Sequence, residues 1–252
     1  APLHLLAGDA ELCRAGGDRF LVAAYDFSMG RRLAYAGSYN DEERETLETL
    51  IRDHQVRHIL FVGSHLGYFV VKLSRLVETV TAIEANPETL EYLRLNLGMN
   101  KVENVDLRHM AATAGPSKLE FVLSRENTGG CHVRRPNEVL PEGARTVEVR
   151  GDTVDSLEVR PELAIIDVEG HEIPVLKGMG RTLAGLRAVS CELIPAVVTA
   201  GGGSVAEQIG LLAEHFDVFH VDSLDAPKLT ADEATAWFEA LSGEERLHSR
   251  NR

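Results

Sequence analysis

A chain of 252 residues, 44% hydrophobic and 26% charged, has the composition of a folded globular protein and the length for one substantial core, which excludes global disorder and fibrous architectures. Its formal charge of −13 argues against a surface that tracks nucleic-acid phosphates, because such surfaces concentrate positive charge. Cys13, Cys131 and Cys191 match no metal-ligand spacing, no apolar run approaches the roughly 18 residues of a membrane span, and the N-terminus lacks a basic region followed by a hydrophobic stretch. A cytoplasmic setting is therefore expected, with neither nucleic acid nor membrane as partner.

From residue 45 onward, short β-branched runs alternate with helical stretches, the pattern of βαβ units around a mostly parallel sheet with helices on both faces. Before that point only Phe20 to Tyr25 reads as strand-like, and residues 1–41 are expected to form a cap. The pattern predicts a helix over Glu42 to Asp53, a strand over Ile59 to Val62, a helix over Tyr68 to Leu76 and a strand over Val80 to Glu84. Pro87 then opens a helix running to about Gly98, at the first-turn position where its missing N–H costs nothing. A third strand is expected near Val105 to Arg108. Lys118 to Leu123 and Thr146 to Arg150 alternate like half-exposed strands. The 22 residues between them hold Gly129, Gly130, Pro136, Pro141 and Gly143 and read as a long loop, either a substrate lid or a plain excursion. Arg134 and Arg135 within it read as a solvated basic pair. Leu163 to Asp167 and Ala188 to Leu193 supply the fourth and fifth strands, Val205 to His215 a helix and Asp217 to Val221 a further strand. Residues 231–248 read as an amphipathic helix with Trp237 and Phe238 on its inner face. The expected organisation is a cap over 1–41, a domain over 42–230 and a C-terminal helix within 231–252.

Open parallel sheets bind ligands at the carboxyl ends of their strands. After the first such strand stands Gly63-Ser64-His65-Leu66-Gly67. A dinucleotide site wants GxGxxG, whose second glycine admits the pyrophosphate, and here that position is His65. S-adenosylmethionine (SAM) carries no phosphate, so a GxxxG turn suffices for it. Glu84 lies 21 residues after Gly63, at the end of the second strand. Either it accepts hydrogen bonds from the ribose hydroxyls or it caps the helix at Pro87. By position, Ala85 stands beside the ribose and His109 to Ala112, Ala111 included, border the adenine.

The fourth strand ends in Asp167-Val168-Glu169-Gly170-His171-Glu172. Asp167 can orient cofactor or acceptor. His171 is either a general base or a helix-entry histidine. Glu172, at a helix N-terminus, reads as a partner of the helix dipole. Glu192, ending the fifth strand, can orient the acceptor, and Asp167, Glu169 and Glu192 together form an oxygen set that would suit Mg²⁺ if a divalent ion is used at all.

Phe61 to Phe69 (FVGSHLGYF) and Ile166 to Glu172 (IDVEGHE) resemble the glycine motif and the IDVEGxE motif of the FkbM family of SAM-dependent methyltransferases. GSYNDEE from Gly37, IEANP from Ile83 to Pro87, the NxGG run from Asn127 and CEL ending at Leu193 support the resemblance, which spans roughly residues 35–195. It implies a Rossmann-like class I methyltransferase fold and O-methylation of a hydroxyl on a sugar or natural-product intermediate. By the same resemblance, Gly63, Ser64 and Gly67 line the methionine end of SAM, Glu84 its ribose and Asp167 the methyl-transfer face. Two departures stand in one turn: Phe61 replaces the family's acid, and Ser64-His65 replace the common Ala-Asn. Phe61 keeps open a SAM-binding protein without catalysis, and a nucleotide-dependent oxidoreductase is the further alternative.

Overall fold

The computed structural model describes residues 10–140, 142, 144–221 and 224–241. A hairpin of β1 (Ala10–Ala15) and β2 (Asp18–Ala23) leads into α1 (Met29–Ala36) and α2 (Asp41–Asp53). The βαβ run follows as β3 (His58–Val62), α3 (Tyr68–Leu73), β4 (Thr79–Glu84), α4 (Pro87–Met99) and β5 (Val105–His109). Next come β6 (Ala111–Ala112), β7 (Ser117–Leu123), β8 (His132–Val133), β9 (Arg145–Asp152) and β10 (Leu163–Ile166). The described chain closes with α5 (Glu172–Lys177), α6 (Gly180–Leu183), β11 (Ala188–Cys191), α7 (Pro195–Ala200), α8 (Val205–Ala213) and α9 (Ala231–Ala240).

The central sheet is fully parallel, in the order β11-β10-β3-β4-β5. Its strands read as continuous apolar runs because both faces are covered. Alternate residues divide between two cores, as period-two geometry requires. Ile59, Phe61, Val80, Ala82, Leu163 and Ile165 meet α2, α3 and α4 through Leu47, Ile51, Val70, Leu73, Leu93 and Leu97. Leu60, Val62, Ile83, Ala164 and Ile166 meet α5, α6 and α8 through Val175, Leu176, Leu183 and Leu212. This is the α/β fold read from the sequence. A second, four-stranded sheet in the order β6-β9-β7-β8 stands beside it.

Residues 10–41 are weakly patterned, and they join the first core through Phe20 and Val22 of the hairpin and Leu33 of α1. Two polar ties fix the hairpin. Asp18 pairs with Lys72 at 2.6 Å and with Arg75. The fully buried Asn96 accepts from Leu21 N at 2.7 Å and donates to Leu21 O at 3.1 Å and Leu66 O at 2.8 Å. One side chain thus closes the hairpin onto the turn after β3.

Three expectations need correction. Asp217 to Val221 is no strand: it makes a single bridge, Phe219 to Leu229, because Phe216 and Phe219 anchor it by packing against the cores while Val218 lies half exposed. The long loop is interrupted by β8, where Val133 and His132 pair with Phe121 and Val122. In the terminal helix, Ala234 and Phe238 face inward and Trp237 is 37% exposed, its ring edge-on to Phe238; residues 242–248 of that expected helix lie outside the described residues.

Candidate active site

The turn from β3 into α3 needs glycine at both ends. Gly63 and Gly67 each have φ near +88°, and a Cβ on Gly63 would stand 1.8 Å from the carbonyl oxygen of Asp167. The glycine turn therefore touches the end of β10 backbone to backbone. Four of the turn's five N–H groups are spent: Gly63 and Ser64 donate to Ile83 O, Gly67 to Ser64 O, and His65 to Glu84 Oε2 at 2.7 Å. A phosphate cradle needs those donors free, so the geometry disfavours a dinucleotide more strongly than the spacing alone did. The Ser64 hydroxyl, which the sequence left available, donates to Ile83 O at 2.9 Å and is buried.

Glu84 ends β4 almost fully buried, with Oε1 accepting from Asn86 N at 2.7 Å and Oε2 from His65 N. Burial raises its pKa, and these bonds work against that rise. It does not cap α4; Asn86 does, accepting from Glu88 N with Pro87 at the first position. The Thr89 hydroxyl and the Ala85 N–H act on the same carboxylate, which nonetheless lines the cleft. Across the cleft stand Ala111, Ala112, Phe121, Cys131 and Val133, an apolar wall supplied largely by the second sheet.

Gly63, Ser64, Glu84, Ala111, Asp167, Glu169, His171 and Glu192 all line one continuous cleft. Gly67 and Ala85 do not. Gly67 is turned toward Leu93 of α4, and Ala85 packs behind Ala111 and Phe121.

Asp167, Glu169 and Glu192 each place a carboxylate oxygen within 4.8 Å of the others. Water in the cleft reaches Asp167, while protein surrounds it on its other sides. Asp167 and Glu192 are hydrogen-bonded to each other. Both are held above the usual carboxylate range, first by burial and then by neighbouring charges, each other's among them. Like charges this close cannot all ionise freely, so the pair retains a proton well above the pH at which an exposed carboxyl loses it. Glu172 plays another part: it is 2% exposed and Oε1 accepts from Val168 N at 3.0 Å and Gly170 N at 3.2 Å. It braces the turn that presents Asp167 and Glu169, where Glu169 sits at φ 56°.

His171 points away from this cluster. Its Nε2 meets Thr113 Oγ1 at 3.0 Å, and burial pushes its pKa down to about 4. Several lining residues escaped the sequence reading. Glu43 of α2 is close enough to raise Asp167, and the Tyr39 hydroxyl is pushed up to about 12 by burial and then by Asp167 and Glu43. Both stand in the GSYNDEE run from Gly37, but nothing local marks either residue as facing a strand end more than a hundred positions away. Arg135 is no mere solvated arginine: Nη2 donates to Glu169 O at 2.9 Å, and its buried Nε has no hydrogen-bond partner.

Comparison with known proteins bears on this cleft. The model of the methyltransferase FkbM domain matches residues 62–207. Hexuronic acid methyltransferase AglP of Haloferax volcanii is 30% identical over 155 residues, covering 60% of this chain. The chain spans only 62% of that relative's length. Among solved structures, the O-methyltransferase TomG from Streptomyces achromogenes in complex with SAM is similar at 17% identity, with 72% of each chain covered and a TM-score of 0.44. M. jannaschii TYW2 in complex with AdoMet is similar at 17% identity over 71% of this chain and 58% of that one, with a TM-score of 0.37.

Proposed function

Because the chain belongs to the methyltransferase FkbM domain family, we propose that it is a SAM-dependent O-methyltransferase acting on a hydroxyl of a small molecule, a sugar or a natural-product intermediate. The observation that carries the proposal is the meeting of three strand ends in one cleft: the glycine turn after β3, Glu84 after β4 and Asp167 after β10, the first and last in backbone contact at Gly63. Residues 42–230 form the proposed catalytic domain, with the segments before and after completing its walls. The sugar reading draws on the relative whose name states a hexuronic acid acceptor.

The residues fit SAM. Glu84 lines the cleft, where ribose hydroxyls would meet its carboxylate, Ala111 and Phe121 offer apolar surface for adenine, and Gly63 lets the turn close directly against the β10 end. When bound, SAM supplies a methyl carbon made electrophilic by its sulfonium. The chain's task is to align the acceptor oxygen with that carbon and to take its proton. Asp167 is the proposed base: it lies open to the cleft, and its raised pKa places it nearer the pH of work than an ordinary carboxylate. Glu192, sharing a proton with it, holds the carboxylate's orientation. His171 is the second candidate for the proton, and its bond to Thr113 together with its low pKa makes it the weaker acceptor. Asp167, Glu169 and Glu192 would be the ligands of a divalent ion, but the proposed proton transfer requires none.

The test is transfer of a labelled methyl from SAM to a panel of hexoses, hexuronic acids and hydroxylated aglycones. Asp167→Asn should lower turnover by about 10²-fold or more and His171→Ala by less than tenfold, as removal of a general base does. Equal losses would sink the assignment. Turnover should survive a chelator; loss restored by Mg²⁺ would assign the three carboxylates to a metal. SAM binding with no transfer to any acceptor would favour a non-catalytic binding protein.

A further inference from the structure

His65 stands where the glycine motif of the resembled family commonly has Asn, and three parts of the chain meet on its side chain. The ring is half-buried, with Nε2 at 2.8 Å from Thr128 Oγ1 and Nδ1 at 3.2 Å from Met29 Sδ. Thr128 Oγ1 lies 2.7 Å from Asp26 Oδ2. Asp26 also accepts from Ser28 N, Ser28 Oγ and Gly30 N, just ahead of and within the first turn of α1. Burial works to raise the Asp26 carboxyl, but these bonds outweigh it and hold it below its ordinary value. Asp26 is therefore a carboxylate and can only accept. The single Thr128 proton goes to it, so His65 must donate to Thr128 through Nε2–H, and the network assigns this tautomer. The directions are thus fixed along the relay: His65 to Thr128 to Asp26.

The relay joins elements far apart in sequence. Asp26 and Met29 belong to the N-terminal cap, Thr128 to the segment between β7 and β8, and His65 to the cofactor turn. A second tie, Phe27 N to Glu126 O at 2.9 Å, runs alongside it. The other end of His65 matters as much, because its backbone N–H is the donor to Glu84 Oε2. Met29, His65, Glu84, Asn127, Thr128 and Cys131 all line the cleft. The position of the 124–131 segment is thereby passed through one residue to the carboxylate proposed to hold the ribose.

We propose that His65, Thr128 and Asp26 form a positioning relay that clamps the 124–131 segment against the glycine turn as one wall of the SAM pocket. This rests on the SAM-binding reading above. His65 and Thr128 are positioning residues rather than catalytic ones. The site accommodates a larger side chain than Asn here: the imidazole spans the turn to Thr128 while the backbone stays left-handed at φ 48°.

The test is calorimetric binding of S-adenosylhomocysteine to the full chain, with thermal melting as a control for folding. His65→Asn suits the left-handed backbone, since Asn tolerates that region, but falls short of Thr128. Thr128→Val removes the hydroxyl and keeps the shape, and Thr128→Ser restores the hydroxyl. His65→Asn and Thr128→Val should each weaken binding about tenfold, and Thr128→Ser should bind like the wild type. The double variant should be no weaker than the poorer single variant, because both cut the same relay. Additive losses, or wild-type affinity in Thr128→Val, would overturn the relay; if His65→Asn fails to melt cooperatively, the Thr128→Val and Thr128→Ser pair decides. A wild-type chain that does not bind S-adenosylhomocysteine would instead overturn the SAM reading itself.

Discussion

Gly63→Ala is the sharpest single perturbation of the cleft, and its cost can be worked from the geometry. Alanine at φ +88° carries about 1–2 kcal/mol of backbone strain. Its Cβ would lie 1.8 Å from Asp167 O, against the 3.0 Å below which real contacts essentially never fall. The ends of β3 and β10 must therefore part by about 1.2 Å. The bond that closes this end of the pair, Asp167 N to Val62 O at 3.0 Å, is lost or stretched, at about 1 kcal/mol. The expected total is about 2–3 kcal/mol, which for a chain of this size lowers the melting temperature by roughly 4–12 °C. Circular-dichroism melting checks the stability, and calorimetry with S-adenosylhomocysteine checks the site, where binding should fall below detection because Asp167 and the turn move apart. A variant that melts within 2 °C of the wild type and binds with unchanged affinity would refute the close approach of the two strand ends.

Glu192→Gln should change the pH dependence of stability in a definite direction. The Glu192 pKa is raised in the fold, so its contribution to stability is complete below the pKa of the unfolded chain and is lost as pH rises through the folded value. The wild-type melting temperature should therefore decline from pH 5 towards alkaline pH, and the variant should decline less and exceed the wild type at pH 8; parallel curves would contradict the shared proton. Asp18→Ala leaves the largely buried Lys72 without its carboxylate, which should cost about 3 kcal/mol in urea unfolding at pH 7. Here the pKa is depressed, since the bonds from Arg75 and Lys72 outweigh the burial that would raise it. The stability it gives is present above the unfolded value near 3.8 and lost as pH falls through the folded one, so the gap between wild type and variant should close in acid. A gap that persisted at pH 2 would mean that packing, not charge, fixes the hairpin.

The parts of the fold that depend on local pattern were readable in the sequence. Gly63 and Gly67 announced a turn whose backbone only glycine takes without strain, and Glu84 and Asp167 stood at strand ends fixed by the βαβ period. The parts set by distant partners were not. The role of Asp26 depends on Thr128, 102 residues away; Asp26 carries no motif, and Thr128 fills only the variable position of the NxGG run. Glu172 read as a helix-dipole acid and stands in the first turn of α5, but its added bonds to the preceding turn were not legible. Asp217 to Val221 had strand composition but among the described residues makes only the Phe219–Leu229 bridge, and composition cannot supply a partner strand. His65 was noticed as an obstacle to phosphate, while its partners on the cap and the 124–131 segment left no trace near residue 65.

The closure of the hairpin by Asn96 has a consequence in time. Leu21 leaves the ribosome well before the residue that will hold it, with 75 positions between them. At synthesis rates of about 5–20 residues per second, the hairpin must wait roughly 4–15 s before Asn96 exists. During that interval Phe20 and Val22, later among the buried residues of the first core, have no α4 to cover them. The N-terminal segment is thus made early and docked late, and Phe20 and Val22 await their cover for as long as the cofactor turn and α4 are still being made.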